Sequence, residues 1–202
     1  MSNSVAQTRA LRSMPRRNIE LENAVVTGKN VYLRTPVRRD MKEFLALNRA
    51  STELHRGLVS PPTDNPQFTA FLKRCRRADS ACFFICRVED RRIVGSINLS
   101  QIFLGGFRNA YLGYFVGAPY AGRGYMTEAI RLMLRHAFTH LKLHRLEANI
   151  QPGNVASTAL VKGAGFVREG YSRRYLKICG RWRDHERWAI LAEDWKTKGW
   201  GH

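Results

Sequence analysis

The sequence predicts one domain of the α/β (α+β) class. Two observations carry this prediction. The chain has 202 residues, which suits a single domain, and segments with helical and with strand periodicity alternate along it. A domain of this size buries about 70% of the surface that its unfolded chain exposes, so it needs neither a disulfide nor a metal to fold.

The first 25 residues are expected to form a flexible basic arm, with the folded domain at 26–202. Residues 1–19 contain four arginines and no acidic residue, and they lack the long apolar stretch of a secretory signal. The alternative is a mitochondrial presequence, which shares this composition. We expect a cytoplasmic protein.

Helical and strand patterns follow the arm. The elements predicted before residue 117 are a strand at 31–34, a helix at 38–50, a loop at 58–66, a helix at 67–76 and strands at 81–88, 93–102 and 110–116. The loop contains three prolines, which lack the amide donor that a helix interior requires. Asp40 lies near the start of the first helix.

The second half begins with a glycine-containing turn and a long helix. The apolar positions of that helix form one continuous stripe of Ile130, Met133, Leu134, Ala137, Phe138 and Leu141. A strand at 144–150, a short helix capped by Asn154 and two closing strands at 166–178 and 182–192 complete the domain.

The turn Ala121-Gly122-Arg123-Gly124 leads from a strand into the striped helix. A helix start presents unpaired amides and the positive end of the helix dipole, and glycines let the backbone close on phosphate oxygens. The turn therefore predicts an anion site. A Walker loop is excluded because no Gly-Lys-Ser/Thr follows, and Thr127 stands where a dinucleotide fingerprint has its third glycine. The alternative is a turn without a ligand.

Four segments, in order, resemble the GCN5-related N-acetyltransferases, the GNAT superfamily. The turn resembles their Q/R-x-x-G-x-G/A loop, with Ala121 and Met126 departing from the pattern. Asn154-Val155-Ala156-Ser157 resembles their Asn-x-x-Ser, and Gly165-Phe166 resembles the following strand. Gly180-Arg181-Trp182-Arg183-Asp184-His185 is similar to the last strand of the RimJ/RimL branch, which acetylates the N-terminal alanine of ribosomal proteins.

This resemblance spans about residues 29–195 and implies a mixed sheet of six to seven strands with flanking helices. Two parallel strands, 110–116 and 145–150, would splay apart to admit acetyl-coenzyme A. The cofactor-binding residues that it implies are Phe115, Val116, Gly122, Arg123, Gly124, Tyr125, Met126, Thr127 and Asn154. We expect the amides of 122–127 to bind the diphosphate and Asn154 to meet the pantetheine arm.

Acetyl transfer to an amine has three chemical needs. A backbone N–H near Phe115 and Val116 would stabilise the developing negative charge. Ser157 would protonate the departing thiolate, unless its hydroxyl bonds within its own helix. The third need is a general base, and Leu176 stands where the RimL-type enzymes have a catalytic glutamate.

The candidate bases are Glu147, or Asp184 with His185 acting through water. Glu147 has the alternative of an ion pair with an arginine, and Asp184 that of holding the last hairpin. Tyr171, Tyr175 and His185 are candidate substrate-binding residues, although aromatic side chains more often pack in a core. We expect Trp182, Trp188 and Trp195 to pack in the core or at an edge.

The charge of +18 favours a polyanionic partner such as RNA or the ribosome. The alternative is that the scattered arginines reflect genome composition and lie on solvated faces. The four cysteines form no C-x-x-C pair and no zinc-like spacing with histidine, so we expect no metal site. No apolar stretch is long enough to span a membrane. We expect a monomer or a homodimer.

Three functions are compatible with the sequence. The first is an acetyl-coenzyme A-dependent N-acetyltransferase acting on the N-terminal alanine or serine of a ribosomal protein. The second is a small-molecule amine or antibiotic acetyltransferase on the same scaffold, for which polycationic acceptors fit poorly with the positive field. The third is a non-catalytic protein that binds RNA or the ribosome.

Overall fold

The computed structural model describes residues 23–197, so the predicted arm lies almost wholly outside the described residues. The chain forms an eight-stranded mixed sheet with the order β1-β2-β3-β4-β5-β6-β8-β7. Its strands are β1 Ala24–Thr27, β2 Val31–Arg34, β3 Ser80–Arg87, β4 Ile93–Phe103, β5 Asn109–Val116, β6 Arg145–Ile150, β7 Val167–Ile178 and β8 Arg181–Leu191.

Among the described strands, β5 and β6 alone pair in parallel, and the other neighbouring pairs are antiparallel. The helices are α1 Met41–Arg49, α2 Thr52–His55, α3 Asn65–Cys75, α4 Tyr125–Arg135, α5 Val155–Gly163 and α6 Ala192–Thr197. The sheet has one strand more than the six to seven expected. The extra strand is β1, which begins within the segment predicted as the arm.

Two apolar clusters cover the two faces of the sheet. The stripe of α4 packs on one face, with Ile130, Met133 and Leu134 fully buried. On the other face α1 and α3 build an aromatic cluster, in which the ring centroids of Phe44 and Phe84 lie 4.5 Å apart. The helical periodicity of 130–141 therefore identified the face that holds α4 against the sheet.

Local polar contacts fix the helix starts. The Asp64 side chain caps α3 by accepting the Gln67 amide at 2.8 Å. Asp40, predicted near the start of α1, is buried, where it accepts the Val37 amide at 2.8 Å and pairs with Arg34. None of the described helices is long and apolar enough to cross a membrane.

Candidate active site

A cleft opens at the centre of the sheet, where β5 and β6 separate. The two strands pair only over Asn109–Tyr111 and Arg145–Glu147, and they diverge from Leu112 onward. The gap is a cavity of about 310 Å³. Of the residues predicted from the sequence, its lining includes Phe115, Val116, Met126, Asn154, Ser157 and His185. The splayed pair expected from the sequence is therefore present.

The backbone of β5 presents alternate amides to this cleft. Gly117 donates to the Val94 carbonyl at 2.8 Å, which makes these two residues a hydrogen-bonded pair of the antiparallel ladder. Because such pairs alternate, the amide of Phe115 points toward β4 and those of Tyr114 and Val116 point toward the cleft. Of the two positions predicted to supply an N–H, Val116 has the suitable orientation, and Phe115 contributes its ring.

The glycine turn before α4 is open. Gly122 and Gly124 have φ of +72° and +79°, and within residues 23–197 no atom beyond the chain neighbours lies within 4 Å of the place that a Cβ would occupy on either glycine. Glu128 donates to the Gly124 carbonyl at 3.1 Å, so the preceding amides of 125–127 have no partner within the helix. These features fit a diphosphate group, which binds to the positive end of a helix.

Side chains at this turn attach it to the sheet. Arg87 donates to the Tyr125 hydroxyl at 3.3 Å, and its guanidinium lies 6.0 Å from the centre of the Tyr125 ring. Met126 is buried in the wall of the cleft. The side chains of Arg123 and Thr127 are exposed. The contact from Arg87 was not predicted, because 38 residues separate it from Tyr125.

Asn154 and Ser157 stand together at the start of α5. Asn154 Oδ1 accepts the Ser157 amide at 3.1 Å, which confirms the predicted helix cap. The Ser157 side chain shares a hydrogen bond with the Tyr114 hydroxyl across the cleft, whereas the Ser51 hydroxyl donates to the Leu47 carbonyl, four residues earlier in the chain. The Ser157 hydroxyl is therefore not engaged by its own helix, and it lines the cleft.

Asp184 is engaged in shaping the β7–β8 hairpin. Between the pairs Ser172–His185 and Leu176–Arg183, three residues of β7 oppose Asp184 alone, so β7 bulges. The Asp184 carboxylate accepts the Tyr171 hydroxyl at 2.6 Å and the Arg174 amide at 2.7 Å. These bonds, chiefly that from Tyr171, hold the pKa of Asp184 below its ordinary value. The carboxylate therefore stays ionised and is a weak base.

His185 follows Asp184 and points to the opposite face of β8, into the cleft. It is 3% exposed, and its Nδ1 lies 3.0 Å from the Arg183 carbonyl oxygen. A carbonyl only accepts, so Nδ1 carries the proton and the neutral ring keeps its lone pair on Nε2. Burial lowers the pKa of His185. The Tyr175 ring lies 6.1 Å away, centre to centre.

Glu147 lies at the paired end of β5 and β6, outside the lining of the cleft. Its carboxylate accepts from Arg145 Nε at 3.0 Å and from Asn109 Nδ2 at 3.2 Å. The structure does not bring Glu147 together with Ser157 and His185. These contacts match the ion pair that the sequence offered as the alternative to a catalytic role.

His55 is a cleft residue that was not predicted from the sequence. It ends α2 and is 5% exposed, with Nε2 at 2.9 Å from the Val116 carbonyl oxygen. Its ring meets the Phe115 ring edge-on at 5.3 Å. Nδ1 is buried without a hydrogen-bond partner among the described residues. No sequence signal identified His55, because α2 is a four-residue helix without periodicity and the contact spans 61 residues.

Comparison with known proteins assigns the family. The family described as "Acetyltransferase (GNAT) domain" matches residues 30–167. The chain belongs to the GNAT family. This GNAT protein is 34% identical over 178 residues to the Bacillus subtilis (strain 168) "Probable N-acetyltransferase YjcK", covering 84% of this chain and 98% of that protein.

Two further proteins to which this chain is similar bear names of ribosomal-protein acetyltransferases. The Escherichia coli (strain K12) "[Ribosomal protein uS5]-alanine N-acetyltransferase" is 38% identical over 107 residues, which span 53% of this chain and 55% of that relative. The solved structure of "Mycobacterium smegmatis RimJ in complex with CoA-disulfide" superposes with a TM-score of 0.71 at 28% identity, covering 84% of this chain and 89% of that one. The fold class predicted from the sequence is confirmed.

GNAT enzymes use acetyl-coenzyme A, and the cleft of this chain fits that group. The turn with the open glycines would hold the diphosphate, while Asn154 and the cleft-facing amides of β5 would hold the pantetheine arm. Acetyl-coenzyme A supplies an acetyl group activated as a thioester. The protein is therefore an acetyl-coenzyme A-dependent N-acetyltransferase.

Proposed function

We propose that this enzyme acetylates the N-terminal α-amino group of a ribosomal protein whose first residue is alanine or serine. One observation carries the choice of an α-amine. The described residues that line the cleft include two imidazoles, His55 and His185, and no carboxylate. A cleft without a carboxylate offers little to a polycationic amine, whose charges need anionic partners.

A weak base is sufficient for an N-terminal amine. The α-amino group has a pKa of about 7.7–8.0 and the lysine side chain about 10.4, so removing a proton from lysine costs about 3.5 kcal/mol more at neutral pH. We assign His185 as the general base, because its Nε2 lone pair is available and burial keeps the ring neutral. Asp184 holds the hairpin that carries His185.

Two other groups complete the proposed chemistry. The Val116 N–H stabilises the negative charge that develops on the carbonyl oxygen under attack. The Ser157 hydroxyl donates a proton to the departing sulfur. A thiol has a pKa near 8.5, so the thiolate leaves well and this donation accelerates the reaction only modestly.

Ser157→Ala is expected to lower kcat about tenfold with little change in the KM for acetyl-coenzyme A. Thr158→Val is the matched control, because the Thr158 hydroxyl is also on α5 but is buried without a partner among the described residues. Steady-state kinetics of both variants checks the prediction. Equal losses in the two variants would exclude Ser157 as the proton donor.

The ribosomal acceptor is supported by two relatives, which are named for acetylating an alanine of ribosomal protein uS5 and as RimJ. Such an acceptor would place the enzyme in the cytoplasm. A panel of N-terminal peptides from ribosomal proteins, with internal-lysine peptides and small amines as comparators, tests the proposal. We expect turnover of peptides that begin with alanine or serine. Turnover of small amines alone would replace the proposal with the small-molecule alternative.

The outer part of the β7–β8 hairpin is a strongly basic surface. Residues 172–183 contain no acid and the five cations Arg173, Arg174, Lys177, Arg181 and Arg183. None of the five forms an ion pair with a described residue, although Arg173 and Arg174 are near enough to Asp184 to help lower its pKa. Trp182 is 62% exposed among them and Leu176 is 39% exposed.

We propose that this basic hairpin surface contacts ribosomal RNA. Unpaired cations neutralise phosphates and release counterions, and an exposed indole offers a face on which a base can stack. Self-association through this surface would bring like charges together, which disfavours a second copy as the partner. An acidic protein segment would pair with the cations without needing Trp182. A substitution of Trp182 therefore distinguishes RNA from an acidic protein as the partner.

Arg173→Gln/Arg181→Gln is expected to weaken binding of a ribosomal RNA fragment about tenfold. It should also reduce the slope of the log association constant against log salt concentration by about 1.4. Trp182→Ala is expected to weaken it about tenfold through lost stacking. Lys73→Gln/Arg76→Gln, which removes the same charge from the end of α3 and the residue after it, is the control. Fluorescence anisotropy of labelled RNA at several salt concentrations measures the affinity and the salt dependence of each variant.

Equal weakening by the α3 control would mean that only net charge matters. A full effect of the arginine pair with none from Trp182→Ala would favour an acidic protein partner. Either result contradicts RNA contact through this hairpin.

A further inference from the structure

The end of β5 is held by two side chains from the α1–α2 segment. The Ser51 hydroxyl accepts the Ala118 amide at 2.9 Å and donates to the Leu47 carbonyl at 2.6 Å. Four residues later, His55 Nε2 lies 2.9 Å from the Val116 carbonyl oxygen. Both side chains are buried, with 0% and 5% exposure. Together they fix the backbone of 116–118, where β5 leads into the glycine turn.

Close packing holds this backbone on the side that faces α1. A Cβ on Gly117 would lie 2.3 Å from Leu47 Cδ1, so α1 presses directly on the main chain between the two hydrogen bonds. The His55 ring is itself confined by its edge-on contact with Phe115. Loss of the His55 hydrogen bond would therefore free the backbone at Val116, while Leu47 and Ser51 continue to hold Gly117 and Ala118.

The hydrogen bond from His55 holds the carbonyl group of Val116. Because the carbonyl oxygen only accepts, Nε2 carries the proton of this hydrogen bond, and in the neutral ring the lone pair then lies on Nδ1. In a β-strand the N–H and C=O of one residue point to the same side, and for Val116 that side is the cleft. The two groups belong to the peptide units on either side of the Val116 Cα, so holding the carbonyl restrains the φ and ψ of Val116 and, through them, the direction of its N–H.

We propose that His55 is a positioning residue for acetyl transfer, which aims the Val116 N–H at the carbonyl oxygen of the thioester. The proposal rests on the acetyltransferase activity and not on which amine accepts the group. The competing role is direct contact between a ligand and the Nδ1 lone pair, which is buried without a partner among the described residues.

Three substitutions separate the two roles. His55→Gln keeps a donor at the position of Nε2 and loses the acceptor at Nδ1. His55→Asn places an acceptor near Nδ1 but is too short to reach the Val116 carbonyl. His55→Phe removes both groups while keeping the ring. These variants are assayed with whichever amine the wild-type enzyme acetylates, so that the proposed acceptor is tested separately.

Positioning through Val116 predicts that kcat falls about 100-fold in His55→Phe and His55→Asn, because a missing or misaimed donor costs this much. His55→Gln should stay within about threefold of wild type, since it restores the bond. Affinity for acetyl-coenzyme A, measured by calorimetry, should stay within about threefold in all variants, because the diphosphate and arm contacts are elsewhere.

A second readout does not depend on turnover. An acetonyl ketone analogue of acetyl-coenzyme A places a carbonyl at the thioester position, and the Val116 amide proton is followed by NMR on a labelled protein. We expect a downfield shift on binding in wild type and His55→Gln, and a much smaller shift in His55→Phe. If His55→Phe does not fold, the His55→Gln and His55→Asn pair decides. His55→Asn more active than His55→Gln, or an unchanged Val116 shift in wild type, overturns the proposal.

Discussion

Gly124→Val is expected to weaken acetyl-coenzyme A binding by about 100-fold. Gly124 has φ of +79° directly before α4, and in the free protein the place of its Cβ is empty space. We expect the diphosphate to approach the amides of 125–127 through that space. A branched side chain there displaces the anion from about two charge-assisted hydrogen bonds, each worth about 1.5 kcal/mol, and about 1.4 kcal/mol is tenfold in affinity.

Gly180→Val is a matched control for this prediction. Gly180 has the same φ of +79° and equally open space around its absent Cβ, but it lies in the β7–β8 turn. Both variants lose about 1–2 kcal/mol of stability from the left-handed backbone, so their Tm values should fall together. Only Gly124→Val should lose affinity in calorimetry. Similar affinities for acetyl-coenzyme A in the two variants would show that the diphosphate does not bind at the turn before α4.

The cofactor side of the cleft could be predicted from the sequence because its signals are local. The glycines, the apolar stripe from Ile130 and the Asn154 cap each lie within one element or its flanking turn. Local geometry alone determines these features: a positive φ, a period of 3.6 and an N-cap bond. The pairing of Glu147 with Arg145 was also accessible, since residues two apart in a strand share one face.

Other parts of the site and of the sheet depend on contacts between distant parts of the chain. His55 meets Val116 across 61 residues, and Glu128 at the start of α4 accepts the Asn30 amide at 2.9 Å across 98 residues. The latter contact holds the turn that joins β2 to β1, the strand that was not predicted. Trp182, expected to pack at the core or an edge, is exposed because it lies on the outer hairpin.

Asp184 illustrates why the choice of base needed the structure. The sequence places Asp184 and His185 side by side, and either type of side chain serves as a base in enzymes. Their opposite directions on β8 and the bulge of β7 decide between them. At the bulge, the Asp184 carboxylate accepts hydrogen bonds from the Tyr171 hydroxyl and the Arg174 amide, while the His185 imidazole faces the cleft.

His185→Gln is expected to lower kcat by about 100- to 1,000-fold, the usual contribution of a general base. Glutamine retains a polar group of similar size but cannot take up a proton. Tyr171→Phe is the control: it removes a hydrogen bond to Asp184 and leaves the cleft side of β8 intact, so its kcat should change far less. A loss in Tyr171→Phe as large as in His185→Gln would indicate that hairpin geometry, and not the imidazole, limits the rate.

The dependence of kcat/KM on pH gives an independent test. Burial disfavours the imidazolium, so the pKa of His185 lies below its ordinary value of 6.5 and the neutral base persists to mildly acidic pH. As pH falls below the pKa of the acceptor amine, log kcat/KM declines because a growing fraction of the amine is protonated and cannot attack the thioester. Below the pKa of His185 the decline should steepen by a second proton in wild type only. The burial of His185 also makes the free energy of unfolding depend on pH. The contribution of His185 to this free energy is fully present above about pH 6.5 and is lost as pH falls below that value, because the unfolded chain takes up the proton more readily. A wild-type profile without the second step, or one that His185→Gln retains, would show that another group removes the proton.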